Sequence, residues 1–238
     1  MTGPEISVII PVFNDRNSLE IAIPRSLETL SALGTSFEII VAEDGSSDGS
    51  TEFVREYVKR DNRVRLLHRD TRQGRGKALN NAIREAKGPI VCYFDVDLAT
   101  DMQYLADLIA TIHEGADIST GSRLLPASDI VRSGDREIAS RGYNFLVRLF
   151  LSSNIFDHQC GFKAFNKERI LPLLPAIRSN HWFWDTEILV RAQRLDYRII
   201  ELPVRWRAGK GTTVRAKDIV EMGSAILRLW WQIHVSKD

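Results

Sequence analysis

Cysteine is nearly missing from this chain. The two that occur, Cys92 and Cys160, are too few for a disulfide framework and lack the C-x-x-C spacing of a zinc site. Both read as small buried hydrophobes in a reducing compartment. A surplus of one charge is missing too: 32 Lys and Arg face 31 Asp and Glu, a formal net charge of +1. That removes the cationic excess a general nucleic-acid coat needs. No apolar run reaches the roughly 18–20 residues that cross a bilayer, and the strand pattern begins almost at the N-terminus, so no signal peptide is expected. This excludes an integral transporter and leaves room for a protein that lies on a membrane. Repeats and low-complexity tracts are absent, which argues against a solenoid or a linker. What is there, 44% hydrophobic and 26% charged residues in a chain of 238, is the balance of one globular core.

Two hydrophobic periods alternate through the first half. Residues 6–10, 37–41, 64–67 and 90–94 are β-branched or apolar runs predicted as strands, with a fifth at 117–120. Between them, residues 18–33, 50–58, 76–86 and 101–114 have helical spacing, with Ser50 or Thr51 as a cap. The alternation predicts an α/β fold built from right-handed βαβ units, a Rossmann-like, mostly parallel sheet flanked by helices. Such sheets bind ligands beyond the carboxyl ends of their strands, here the segments around Asn14, Asp44, Arg69 and Asp95. The second half is less regular. A mobile loop is predicted over residues 124–137, an apolar helix over 141–156, and a polar turn with a short strand over 157–165. A helix over 182–194, a strand over 197–204, a glycine-containing loop over 208–213 and a last helix over 217–235 complete the reading.

The sharpest chemistry is in Phe94-Asp95-Val96-Asp97, two carboxylates that leave the end of an apolar strand. Mg²⁺ and Mn²⁺ take oxygen ligands, usually one or two carboxylates plus substrate phosphates, and there they neutralise a diphosphate leaving group. Solvated or capping acids are the plainer reading of any single D-x-D; the series of βα units before this one favours the metal. Glu43-Asp44-Gly45-Ser46-Ser47-Asp48-Gly49 ends another strand, and Asp44 can accept hydrogen bonds from a base or ribose, although a turn and cap explain Ser46 to Gly49. Arg72-Gln73-Gly74-Arg75-Gly76-Lys77 opens a helix and suits an anion, but it is neither a P-loop nor a dinucleotide fingerprint. In Trp184-Asp185-Thr186-Glu187, Asp185 can act as a base or orient an acceptor; acids in a first helical turn explain the pair equally well. Trp182, Phe183 and Trp184 read as core. Arg123, Arg132, Arg136 and Arg141, with Arg205, Arg207 and Lys210, read singly as surface charges. Beside the apolar stretch 143–156, Arg136 and Arg141 suit a lipid that carries a phosphate. Ile219, Met222, Ile226, Leu229 and Ile233 form a stripe beside Trp230 and Trp231, to be used for core packing, a homo-oligomer seam or a membrane surface. The five histidines have no metal-ligand spacing.

Together these motifs resemble the GT-A glycosyltransferases of family 2, in particular the dolichyl-phosphate (polyprenyl-phosphate) hexose synthases. The resemblance rests on Ser7-Val-Ile-Ile-Pro-Val-Phe-Asn14, residues 38–46 and 74–80, Asp95-Val-Asp97, Gly121-Ser-Arg123, Gln159-Cys-Gly-Phe-Lys163 and Trp184-Asp-Thr-Glu187, and it spans nearly the whole chain. It implies a GT-A domain over residues 1–215 and a C-terminal amphipathic helix over 216–238, in place of the family's hydrophobic anchors. It implies inverting transfer of a hexose from a nucleotide sugar to a polyprenyl phosphate at the cytoplasmic face of a membrane, with peripheral membrane contact and Mg²⁺ or Mn²⁺. By position, Pro11, Phe13, Asp15 and Asp44 would bind the nucleoside and Lys77 would lie near the phosphates. Asp95 and Asp97 match the metal pair, and Arg123 and Arg136 match arginines that hold the acceptor phosphate or the diphosphate. Asp15 stands where the family often has Glu, and Glu43-Asp44 where it has Asp-Asp. Ala99 stands where mannose-transferring members often have Gln, which tilts the donor toward UDP-glucose over GDP-mannose. A sugar or protein hydroxyl acceptor would make Asp185 or Glu187 an essential base; a non-catalytic sugar-nucleotide subunit is the third reading.

Overall fold

Continuous apolar runs become strands buried on both faces. In the computed structural model, which describes residues 3–131, 133–208 and 216–235, β1 (Ile6–Val12), β2 (Phe37–Asp44) and β4 (Ile90–Phe94) are buried along their whole length. With β3 (Val64–Arg69), β5 (Ile118–Ser122), β7 (Phe162–Asn166) and β8 (Ile199–Pro203) they form a seven-stranded sheet in the order β3-β2-β1-β4-β7-β5-β8. All pairings are parallel except those of β7, which runs against both β4 and β5. The mostly parallel sheet is the one predicted. The reversal of β7 is new, and its cause is local: the chain re-enters the sheet at the rim where β4 ends, with the Asp95 amide donating to the Gly161 carbonyl at 3.0 Å.

Alternate side chains feed two cores. Val8, Ile10 and Val12 meet α1 (Arg16–Ala32), α2 (Ser50–Arg60) and α4 (Leu105–His113), while Ile9, Val91 and Tyr93 meet α3 (Arg75–Glu85) and α7 (Trp184–Arg194). A smaller cluster joins α5 (Gly134–Leu151) and α8 (Ala216–His234) to α7 through Val147, Leu151, Val190, Ala225, Ile226 and Leu229. The C-terminal stripe is thus used for packing at Ile226, Leu229 and Ile233, while Trp230 and Trp231 stay exposed. Among the described residues no helix is long and apolar enough to cross a membrane.

Two expectations need correction. The segment 124–137 is not one loop: β6 (Asp129–Val131) pairs in parallel with β9 (Arg205–Arg207), and α5 begins at Gly134, seven residues before the predicted start. Three-residue strands are too short to leave a period in the sequence. The cap of α2 is neither Ser50 nor Thr51. Gly49 holds that position at φ +88°, and Asp48 Oδ1 accepts from the Ser50 amide at 3.0 Å. Arg132, the loop 209–213 with Lys210, the boundary at 215, and the side chains of Lys217 and Ile219 lie outside the described residues.

A polar seam underlies the turn before β7. His158 is fully buried; its amide and Nδ1 lie 2.9 and 2.8 Å from Asn144 Oδ1, and Nε2 lies 2.8 Å from Ser153 Oγ. Burial pushes its pKa from 6.5 down to about 3. The folded state then holds fewer protons than the unfolded chain between those values, so stability falls as pH drops through 6.5. We expect a loss of about 2 kcal/mol between pH 7 and pH 5, above the range where carboxylates titrate. Urea midpoints across that range measure it, and H158Q should flatten the slope.

Candidate active site

The strand order reverses between β1 and β4, and in α/β sheets the crevice lies at such a point. A cleft of about 240 Å³ opens there, lined among others by Pro11, Phe13, Asp15, Asp44, Asp95 and Asp97. Six of the residues singled out from the sequence are thereby brought together. Arg72, Arg75 and Trp182 complete its walls.

The two loops on the β1 side brace each other. Asn14, at φ +51°, donates its amide to Ser46 Oγ at 2.9 Å and accepts the Ser47 amide on Oδ1 at 2.7 Å. Asp15 Oδ1 caps α1 by accepting from the Ser18 amide at 3.2 Å. Asp44 is buried, and its two oxygens accept from the Gln73 and Gly74 amides at 2.8 and 2.7 Å. It therefore fastens the glycine-rich loop to the end of β2 while forming part of the cleft wall. Arg72, brought in by that loop, stacks 4.0 Å over the Phe13 ring.

Asp95 and Asp97 sit at the floor. Asp95 Oδ1 takes Nε and Nη2 of Arg75 at 3.1 and 2.7 Å. Its other oxygen lies against Gly161, where any Cβ would collide with the carboxylate. This explains the glycine in Gln159-Cys160-Gly161-Phe162-Lys163. Asp97 accepts only its neighbour Ala99's amide, at 3.1 Å, and pairs with no cation among the described residues. Crowding in the cleft, then the charges of Asp95 and Asp15, push its carboxyl above the ordinary value. No three His, Cys, Asp or Glu side chains among the described residues gather to hold a metal by themselves. An ion on this pair would need oxygens from a substrate, the usual arrangement for Mg²⁺.

Behind the floor, Asp185 is 2% exposed and surrounded by donors. Arg75 Nη1 reaches its Oδ2 at 2.6 Å, while Lys163 Nζ at 3.1 Å and the Tyr93 hydroxyl meet its Oδ1. Burial alone would raise this carboxyl; the Lys163 and Arg75 charges outweigh burial and hold it below the ordinary value. Lys163 is itself fully buried and also donates to the His158 and Cys160 carbonyls at 3.2 and 2.6 Å. The rest of Trp184-Asp185-Thr186-Glu187 is equally engaged. Trp184 Nε1 donates to Asn80 at 2.8 Å, Thr186 meets Tyr143 and Gln159, and Glu187 accepts from the Arg178 and Ser179 amides and from Arg191. Neither acid of the motif is a free base.

The remaining candidates lie away from the cleft lining. Lys77 points to solvent, and it is Arg75 from the same loop that turns inward. Arg123 forks onto the buried Asp157, with Nε and Nη2 at 2.7 and 2.9 Å, and lies 5.7 Å from the Trp206 ring. Arg136 is exposed on the first turns of α5. Sequence reasoning passed over Arg75, Trp182 and Lys163. The one signal for Arg75 was its place between two glycines at a helix start; Trp182 was read as core, yet it is half-buried and faces the cleft.

Comparison with known proteins fits this geometry. The glycosyl transferase family 2 profile matches residues 7–170. The chain belongs to that family. It is 46% identical to glycosyltransferase AglD of Haloferax volcanii over 98% of this chain but only 38% of that protein, so it spans well under half of that relative's length. It is 31% identical to a dolichyl-phosphate beta-glucosyltransferase of Dictyostelium discoideum, covering 96% of this chain and 76% of the relative. Among solved structures, glucosyl-3-phosphoglycerate synthase of Mycobacterium tuberculosis bound to UDP superposes with a TM-score of 0.69 at 20% identity, over 97% of this chain and 80% of that one. The same enzyme with Mn²⁺, UDP and phosphoglyceric acid gives 0.71 at 19% identity, over 99% and 80%. These neighbours confirm the GT-A fold expected from the motifs.

In this family member the buried Lys163–Asp185 pair should be costly to break from one side. K163M is expected to lower stability by about 3 kcal/mol, at the lower end for a buried pair because Arg75 still faces Asp185. Urea midpoints with an unchanged denaturant slope check this.

Proposed function

We propose that the protein is an inverting glycosyltransferase that moves a hexose from a nucleotide sugar to a polyprenyl (dolichyl-type) phosphate. One observation carries the choice of acceptor. A hydroxyl acceptor needs a carboxylate to take its proton, and the two acids offered for that task, Asp185 and Glu187, are each saturated by donors. A phosphate monoester is already anionic near neutral pH and needs no base. The protein's work is then to position two anionic substrates and to stabilise the departing nucleoside diphosphate.

The residues of the floor fit Mg²⁺ or Mn²⁺. Asp97 has no cation partner among the described residues, burial and then the charges of Asp95 and Asp15 raise its carboxyl, and Asp95 stands beside it at the end of β4. A divalent ion held by this pair would supply Lewis-acid neutralisation of the diphosphate. Phe13, with Arg72 over it, and the wall at Pro11 and Asp44 would take the nucleoside. UDP-glucose is the favoured donor and GDP-mannose the second. Ala99, the relatives named as dolichyl-phosphate beta-glucosyltransferases, and the UDP complexes of the structural neighbours support that order.

The acceptor's solvent is a membrane, and the same reading has the enzyme working on the cytoplasmic leaflet. On α5 and α8, Ile138, Phe145, Leu149, Leu227 and Trp231 are each at least 57% exposed. Arg136, Arg141, Arg148 and Arg228 are exposed on the same helices. Aromatic and aliphatic side chains beside arginines suit the headgroup boundary of an anionic bilayer. The helix 216–234 thus has one side in the small core and another available to lipid.

D97A should cut transfer roughly a hundredfold or more by removing a metal ligand, measured as labelled sugar entering an organic-solvent extract in the presence of a short polyprenyl phosphate. A donor panel of UDP- and GDP-sugars fixes the nucleotide in the same assay. Label that stays in the aqueous phase on a sugar or peptide hydroxyl would overturn the lipid acceptor. In vesicle flotation, L149E combined with W231E should weaken binding to anionic liposomes roughly tenfold or more with the melting temperature unchanged; undiminished flotation would remove this face from the account.

A further inference from the structure

Arg75 is the one cation shared between the cleft floor and the buried hub. Its side chain is 14% exposed and forks across two acids, Asp95 on the cleft side at 2.7 Å and Asp185 behind at 2.6 Å. The guanidinium lies 5.3 Å from the Tyr93 ring and 5.4 Å from the Trp182 ring. The two pairings differ in setting. The Asp185 carboxylate is 3% exposed, whereas that of Asp95 is 40% exposed and opens on the cleft. The inner contact is sheltered, and the outer one is open to exchange with any ligand that enters.

This arrangement bears on how a dication could sit at Asp95 and Asp97. With Arg75 on Asp95, half of the floor is already neutralised, and a second cation placed on the same carboxylate would repel the guanidinium at close range. A diphosphate changes that balance, because it brings oxygens for the ion and a planar anionic group suited to an arginine fork. Resting on the donor and metal reading above, we propose that Arg75 is a built-in counter-ion for Asp95. It moves from Asp95 to the donor's diphosphate while keeping its hold on Asp185, so the floor accepts a divalent cation only together with a nucleotide. Arg75 is then a positioning residue that couples the two ligands, and Asp185 is its pivot.

The test is Mn²⁺ binding, read by the electron paramagnetic resonance signal of free ion, on the full chain with and without UDP. Wild type should bind Mn²⁺ weakly alone and at least roughly tenfold more tightly with UDP. R75Q should bind Mn²⁺ alone roughly tenfold more tightly than wild type and lose most of the gain from UDP, and R75K, which restores the charge, should return weak binding without nucleotide. Equal Mn²⁺ affinity of R75Q and wild type without UDP would overturn the proposal. D97A with UDP separates the underlying reading: if Mn²⁺ binds there as in wild type, the metal site itself is misassigned, whatever R75Q does. Should R75Q fail to fold, the Arg75 Nε–H resonance of the wild-type protein decides. It should shift when Mg²⁺ and UDP are added together and stay in place with Mg²⁺ alone; a shift with Mg²⁺ alone would overturn the coupling.

Discussion

A carboxylate taken out of water needs cations close by, and Asp185 has two. The elements that meet there come from distant parts of the chain: α7 carries the acid, β7 brings Lys163, β4 brings Tyr93 and the start of α3 brings Arg75. A buried charge left unpaired costs several kcal/mol, so none of these elements can shift without the others. The antiparallel placement of β7 follows the same requirement. Only a strand that begins at the rim sets Gly161 against Asp95 and Lys163 beneath Asp185. The buried hub therefore fixes the floor of the cleft.

The rim above it is built from anions of two kinds. Asp44, Asp15 and Glu43 are consumed by loop amides and hold the backbone of the β1 and β2 loops in place. Asp95 and Asp97 face the cleft, one shared with an arginine and the other without a cation partner among the described residues. The difference lies in what covers each strand end. Both strands end in tight turns, through Gly45 at φ +77° after β2 and through Leu98 at φ +49° after β4, but only at β2 does a second loop, residues 73–74, come in to cover the acid with its amides. Acids covered by amides and acids open to the cleft thus look alike in sequence and separate only in the fold.

That distinction marks how far the sequence could be read. The parallel core, the rim location and the carboxylates Asp44, Asp95 and Asp97 follow from apolar periods and from acids at strand ends, which are local signals, whereas Pro11, Phe13 and Asp15 come only from the resemblance to the family. The same signals could not assign Lys77 and Arg75 to opposite sides of one helical turn, since both follow a glycine and both are cationic. Nor could they show that Asp185 is saturated, because its partners lie 22 to 110 residues away. Arg123 belongs here too. Its motif points to an anion-binding arginine, and the anion it meets in the fold is Asp157, whose carboxyl it holds well below the ordinary range against the effect of burial. The short β6–β9 pair left no trace because three residues set no period.

For the proposed reaction, an acidic cleft is an odd place to bring two phosphorylated molecules together, and the oddity is informative. The buried cations close to the floor, Lys163, Arg75 and Arg123, already have acid partners, and among the described lining residues Asp15, Asp44, Asp95 and Asp97 outnumber Arg72 and Arg75. Polyanions approaching such a site are repelled unless they carry positive charge with them. On the proposed reading, a divalent ion held by Asp95 and Asp97 together with the diphosphate would supply that charge. The proposed leaving group would then be the best-stabilised anion in the cleft, and the proposed acceptor phosphate could come close enough to attack. A cleft lined with free arginines would bind both substrates more tightly but would hold ground state and transition state alike, which lowers no barrier. On the proposed reading, keeping Arg75 engaged until the donor arrives would tie the favourable charge to the bond that must break.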